Sequence, residues 1–234
     1  MSGGISQALS QIYNSKKFPW IIICIGIALR LVRYLHNTPL WFDESVIAVD
    51  IFKRPLTDFI NPSPDYTQTG PLGFYILSKL AVQLFGNSEY ALRLAPLLFG
   101  IASLFLFYKV AKEIVRPGAV PVALALFAVL DPLIFYSSEL KPYSGDVAFS
   151  LLVLSLATHK IKTFNIRHIV IFSVVGAAAV LSSHPAVFVL AGAGAGLILS
   201  CLKRKEWARL RGILIVCMIW ALSFIAVYLV YTSG

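Results

Sequence analysis

Residues 71–85 read Pro71-Leu72-Gly73-Phe74-Tyr75-Ile76-Leu77-Ser78-Lys79-Leu80-Ala81-Val82-Gln83-Leu84-Phe85, and whether this stretch crosses a bilayer decides the topology of the whole chain. It is apolar but carries Lys79, and it falls short of the ~20 residues that span hydrocarbon. Seven other stretches are clearer candidate spans: residues 18–36, 89–115, 118–136, 144–159, 169–183, 185–201 and 212–231. Counting 71–85 as an eighth puts Lys109, Lys112 and Arg116 outside, together with Lys203, Arg204, Lys205, Arg209 and Arg211. Short loops rich in Lys and Arg stay in the cytoplasm, so that threading fails. Reading 71–85 as an embedded or interfacial helix on the outer face repairs every loop at once. Lys16 and Lys17, Lys109–Arg116, Lys160–Arg167 and Lys203–Arg211 then all lie inside. The expected fold is all-α: one polytopic membrane domain over residues 1–234, with about seven transmembrane helices and a cytoplasmic N-terminus. Residues 37–88 form one long outer loop and residues 137–143 a second, short one.

Composition agrees. The 234 residues are 58% hydrophobic and 13% charged, with a mean hydropathy of +0.80, which excludes a soluble domain. The net charge of +9 sits in short loops between spans, so it reports topology rather than nucleic-acid binding. Cys24, Cys201 and Cys217 lie inside apolar stretches and share no metal-like spacing, so neither disulfides nor a thiolate metal site is expected. The first apolar run, Phe18 to Leu35, contains Arg30 and Arg33 and lacks a small-residue cleavage site. It reads as an uncleaved first span of a multi-pass protein, in the plasma (inner) membrane if the source is bacterial. No repeat or low-complexity tract is present. The Ala191–Gly196 alternation reads as close helix packing, since no strand precedes it.

In the long loop, Val46, Ile47, Val49 and Ile51 give residues 43–54 a partly one-sided apolar pattern. This predicts an amphipathic helix on the membrane surface with Asp43 as its N-cap. Residues 61–71 are turn-rich and read as a water-exposed connection. Two adjacent carboxylates, Asp43 and Glu44, are costly here unless they face water. Beside Trp41 and Phe42 at a membrane surface, such a carboxyl is expected to have a raised pKa, suited to a general base near neutral pH. Repulsion between the neighbours lets one hold a proton while the other stays ionised. The alternative is a pair of loop acids that merely ends the first span.

A second polar cluster, Glu139 to Asp146, falls on the same face. Lys141 reads either as a snorkelling interfacial lysine or as a phosphate contact. Arg93 either anchors the start of its span or meets an anion. His184, in the turn Ser182-Ser183-His184-Pro185, is either at a cavity mouth or simply solvated. Asp131 is an intramembrane acid, which suggests function or a pairing with Arg30 or Arg33. Asp146 either caps its span or lines a site. His36, His159 and His168 lie at span ends, and no His/Cys/Asp/Glu spacing supports zinc.

Three features together resemble membrane glycosyltransferases of the GT-C superfamily. They are the acid pair soon after the first span, the helix opening Gly70-Pro71-Leu72-Gly73-Phe74-Tyr75, and Phe85-Gly86-Asn87-Ser88-Glu89-Tyr90-Ala91-Leu92-Arg93-Leu94 leading into a span. The nearest branch is the protein-mannosyltransferase-like group, glycosyltransferase family 39, whose second outer loop is similar to Tyr136–Val147 here. The likeness covers residues 18–200 or so. It implies transfer of a sugar from a polyprenyl-phosphate-linked donor to an acceptor (protein, lipid or glycan) on the outer face. In that reading Asp43 is the catalytic base, Glu44 supports it, and Glu139 is the second-loop acid that positions the acceptor or an ion. Lys141, Tyr143, Asp146, His184 and Arg93 form the expected substrate-binding set. No organic cofactor is implied. The charge on the leaving phosphate calls for a cationic side chain or a divalent metal.

The expected partners are the donor, an acceptor and the bilayer, with no nucleic acid. Members of this group continue beyond seven spans, into further helices and a large outer loop or domain. These 234 residues are therefore expected to correspond to the N-terminal seven-span module, and their activity alone stays open. Two alternatives remain: a small transporter or lipid-binding membrane protein, and a non-catalytic remnant of a glycosyltransferase.

Overall fold

A computed structural model describes residues 17–60, 70–159 and 164–232. The turn-rich connection expected over 61–71 falls mostly outside these residues, as do Lys16 and the first half of the Lys160–Arg167 loop. Among the described residues every regular element is helical.

In chain order the α-helices are α1 (Phe18–His36), α2 (Phe42–Lys53), α3 (Leu56–Ile60), α4 (Leu72–Phe85), α5 (Glu89–Ile114) and α6 (Val120–Val129). They are followed by α7 (Asp131–Phe135), α8 (Tyr143–Thr158), α9 (Ile166–Ser182), α10 (Ala186–Arg204) and α11 (Trp207–Thr232). The boundaries follow local chemistry. Pro19 opens the first turn of α1, and Asn37 closes it in a left-handed conformation at φ 43°, its N–H bonded to the Tyr34 carbonyl. The Ser88 hydroxyl caps α5 by accepting from the Ala91 N–H, and Asn165 caps α9 through the His168 N–H.

Helices α1, α5, α10 and α11 are long and apolar enough to cross a membrane. The region expected as one span over 118–136 is instead broken at Leu130. Its two parts, Pro117–Val129 and Asp131–Ser138, are bent by 56° and together make a fifth candidate. Pro132 lies just past the break, where its ring and missing N–H forbid a continuous helix. At 16 and 17 residues, α8 and α9 reach only ~24 and ~26 Å, short of the ~30 Å hydrocarbon core. The deciding stretch 71–85 forms α4, shorter still at 14 residues.

Three apolar cores hold the bundle. Ile23 of α1, Leu104 of α5, and Leu124 and Ala128 of α6 form one. The helices α8–α11 form another around Val153, Phe172, Leu190, Ile213 and Trp220. The third joins α2, α3, α4 and the start of α5 through Ile47, Ile51, Phe59, Phe74 and Leu92, and it includes Leu140 from the second loop.

Two contacts fix α4. A Cβ on Gly73 would lie 2.2 Å from Ser182 Oγ, so only glycine lets α4 rest against the end of α9. The Lys79 ammonium donates to the carbonyls of Ile51 (2.7 Å) and Phe52 (3.3 Å), closing the C-terminal end of α2.

The expected pairing of Asp131 with Arg30 or Arg33 does not form. Asp131 starts α7 and is exposed, Arg30 donates to main-chain carbonyls, and Arg33 pairs with Glu139. The break at Leu130 turns Asp131 out of line with α6.

Candidate active site

Asp43 and Glu44 occupy the first turn of α2, where negative charge meets the positive end of the helix dipole. The N-cap is Trp41, two residues before the expected Asp43, and α2 begins at Phe42. Glu44 is the third residue of the helix, and its carboxylate reaches back to accept the Trp41 N–H at 3.0 Å. Adjacent in sequence, the two acids part in space: Glu44 is 1% exposed, whereas the Asp43 side chain is 49% exposed.

Glu44 is a structural hub. One carboxylate oxygen accepts from Arg93 Nη2 at 3.1 Å, and the other accepts the main-chain N–H of Leu140. Arg93 is buried as well, and its Nη1 donates to the Thr38 carbonyl at 2.6 Å. A buried ion pair is costly unless its remaining donors and acceptors are mostly satisfied; both Glu44 oxygens and two Arg93 nitrogens are, while Arg93 Nε has no partner. Here that network ties α2, α5 and both outer loops together. Arg93 is turned inward to this network rather than toward a cavity.

Glu139, 3% exposed, meets Arg33 at 3.4 Å, and the Arg33 guanidinium lies 4.9 Å above the Phe135 ring. Burial, then the charge of Glu44, raises the Glu139 carboxyl above its ordinary range. Asp43 goes the other way. The expected upward shift is reversed: a hydrogen bond and ion pair from Lys141, with Nζ 2.6 Å from Oδ2, hold its carboxyl below the usual value. Burial thus favours the protonated form of Glu139, whereas Lys141 favours the ionised form of Asp43.

Lys141 also faces a cavity of about 310 Å³. One wall is Ile47 with Pro71, Phe74 and Tyr75 of the α4 opening; the other carries Lys141, Tyr143, Asp146 and His184. Asp146 stands beside His184 and hydrogen-bonds Ser183. Phe74 and Tyr75 meet edge to face at 5.6 Å, and Tyr75 stacks on Phe59 at 5.2 Å, so that wall is packed aromatic surface. The structure thus brings Lys141, Tyr143, Asp146 and His184 to one cavity and joins Asp43 to it through Lys141. Glu44, Glu139 and Arg93 lie behind, as support.

Among the described residues, no three His, Cys, Asp or Glu side chains converge as metal ligands. The carboxylates of Asp43, Glu44 and Glu139 are each already engaged by Lys141, Arg93 and Arg33, so these residues do not form a free donor set for a divalent ion.

Residues 68–231 match the family model described as dolichyl-phosphate-mannose-protein mannosyltransferase. The chain belongs to this family. It is accordingly a mannosyltransferase-type membrane glycosyltransferase of the GT-C kind, and its apolar helices make it a multi-pass membrane protein. No individual curated protein matches the chain. The match to the mannosyltransferase family begins just before α4 and takes in Arg93, Glu139, Lys141, Tyr143, Asp146 and His184. Asp43 and Glu44 precede it, yet Arg93, Leu140 and Lys141 within the matched region hold both acids in place.

Leu140, Arg33 and Ser183 were not among the expected site residues. Leu140 acts through its main-chain N–H, which no side-chain pattern advertises. Arg33 carried a signal, a cation near the outer end of the first span with no acid beside it on its own helix.

Proposed function

We propose that this protein transfers a sugar from a polyprenyl-phosphate-linked donor to a hydroxyl group of an acceptor at the outer face of the membrane, with Asp43 as general base. The observation that carries this reading is the ion pair between a half-exposed, ionised Asp43 and Lys141, a cation that also lines the cavity. In this reading the acceptor hydroxyl gives its proton to the Asp43 carboxylate as its oxygen attacks the anomeric carbon. The bond from that carbon to the phosphate oxygen breaks, the configuration inverts, and the polyprenyl phosphate leaves. Lys141, with His184 on the same wall of the cavity, meets the negative charge that develops on the leaving phosphate. Tyr143 and Asp146 line the same space and contact the sugar or acceptor. Glu44 and Arg93 hold α2 so that Asp43 faces this mouth.

Family membership supports the transferase over a transporter, and a cavity holding both cationic and carboxylate groups suits a phosphate-linked sugar. Asp43→Asn keeps the shape and removes the base. A positioned base contributes about 10²–10⁴-fold, so lipid-linked-sugar transfer in membranes should fall by that factor with expression unchanged. Undiminished transfer would remove Asp43 from this role.

A further inference from the structure

We propose that Arg30 is a positioning residue for the second outer loop: it supplies the hydrogen-bond donor that Pro132 withholds from the Ala128 carbonyl. It thereby sets the bend that brings Leu140 and Lys141 to Glu44 and Asp43. The role in transfer rests on the proposed function, whereas the role in the bend does not.

In a continuous helix the Ala128 carbonyl accepts the N–H four residues on. That residue is Pro132, which has no N–H, and its ring crowds the same carbonyl. The chain answers by leaving the helix at Leu130, with ψ 114°, and turning by 56°. Hydrocarbon offers no water to satisfy the stranded oxygen, so it must find a donor within the protein. Arg30 Nη1 meets it at 3.1 Å, reaching across from α1, and also donates to the Gly26 carbonyl at 3.0 Å.

The Arg30 side chain is fully buried, and its Nε and Nη2 have no hydrogen-bond partner. Among the described residues it has no carboxylate partner, so no ion pair accounts for its position. A buried guanidinium is costly, and a methionine would fill similar space without that cost. What methionine lacks is the donor.

The same side chain stands beside the outgoing loop. A Cβ on Gly100 of α5 would lie 2.5 Å from Ser137 Cβ and 3.5 Å from both Arg30 Cδ and Nε. Ser137, 0% exposed, is thus pressed onto α5 next to the Arg30 guanidinium, two residues before Glu139. The break and the docking of the loop that follows it share this one side chain.

Four versions of the full chain in lipid nanodiscs test this: Arg30→Met, Arg30→Lys, Pro132→Ala and the double variant Arg30→Met/Pro132→Ala. Misplacing catalytic groups by about 1 Å costs ~10²-fold, so Arg30→Met should lose about that in kcat, while KM for the donor changes less than threefold. Arg30→Lys retains a donor and should recover at least a tenth of wild-type kcat. Pro132→Ala restores the missing N–H, so Arg30→Met should lower the unfolding temperature less in the Pro132→Ala background than in the wild type. Additive unfolding shifts would overturn the role in the bend. Wild-type kcat in Arg30→Met, or no recovery in Arg30→Lys, would overturn the positioning role. If Arg30→Met alone fails to fold, Arg30→Lys and the Pro132→Ala background still decide. Failure of the proposed function is read separately, from Asp43→Asn, and leaves the unfolding comparison intact.

Discussion

The cluster around Glu44 and the four-helix module α8–α11 are both well buried, but different forces hold them. Around Glu44, two carboxylates (Glu44 and Glu139), two guanidinium groups and main-chain N–H groups meet at hydrogen-bond distances, joining segments as distant in sequence as residues 33, 44, 93 and 140. In the module, contact is made by shape. A Cβ on Gly176 would fall 1.9 Å from Trp220 Nε1, and the indole N–H donates to the Phe172 carbonyl at 2.8 Å. Within lipid, helices gain little from excluding water, so close approach at small residues carries the packing. At the surface, directional bonds place charged groups that chemistry needs. The outer cluster should therefore be sensitive to charge, and the module to volume.

Arg93→Met is the strongest test of the first half of that contrast. It leaves the Glu44 carboxylate buried without its cation and should cost about 3–5 kcal/mol, read as reversible unfolding in nanodiscs. Adding Glu44→Gln should recover part of the loss, because the buried side chain is then neutral and its oxygen still accepts a main-chain N–H. A double variant as unstable as the single one would mean that packing, not charge, holds the outer cluster. Gly176→Ala probes the second half. One methyl group must displace the Trp220 ring, at about 1–3 kcal/mol. A cost near zero would mean that α9 and α11 slide apart freely.

The smallest expected effect sharpens the electrostatics. The folded-state pKa of Glu139 is raised, so the group contributes stability below its unfolded value that is lost as pH rises through the folded one. Glu139→Gln removes that loss. The variant should unfold at a higher temperature than the wild type at pH 7, and the two should converge as pH falls toward ~4.3, the ordinary glutamate value. The Arg33 contact given up is partly exposed and worth only ~0–1 kcal/mol. A lower unfolding temperature at neutral pH would show that Arg33 outweighs the burial of the carboxylate.

Much of this was legible in the sequence, for stated reasons. Apolar length and loop charge mark the helices, because hydrocarbon demands internally bonded backbone. Asp43, Glu139 and Lys141 stand out because charge is rare in such a chain. The division of labour between the two acids was not legible. Asp43 and Glu44 are neighbours, and a helix starting at Phe42 rather than Asp43 sends one inward to Arg93 and the other outward to Lys141. Nor was the direction of the Asp43 shift, which depends on a lysine 98 positions away folding back to 2.6 Å. The break at Leu130 was announced by Pro132, but an apolar window averages over a single missing N–H.

The bond from Leu140 to Glu44 is made by the main chain, and every residue except proline offers that same N–H. The second loop therefore has one anchor that substitution at 139 or 141 leaves intact, beside the side-chain contacts of Glu139 with Arg33, Lys141 with Asp43 and Leu140 with the apolar core. Its position is fixed in part by the backbone, and its chemistry by the side chains that flank the anchor.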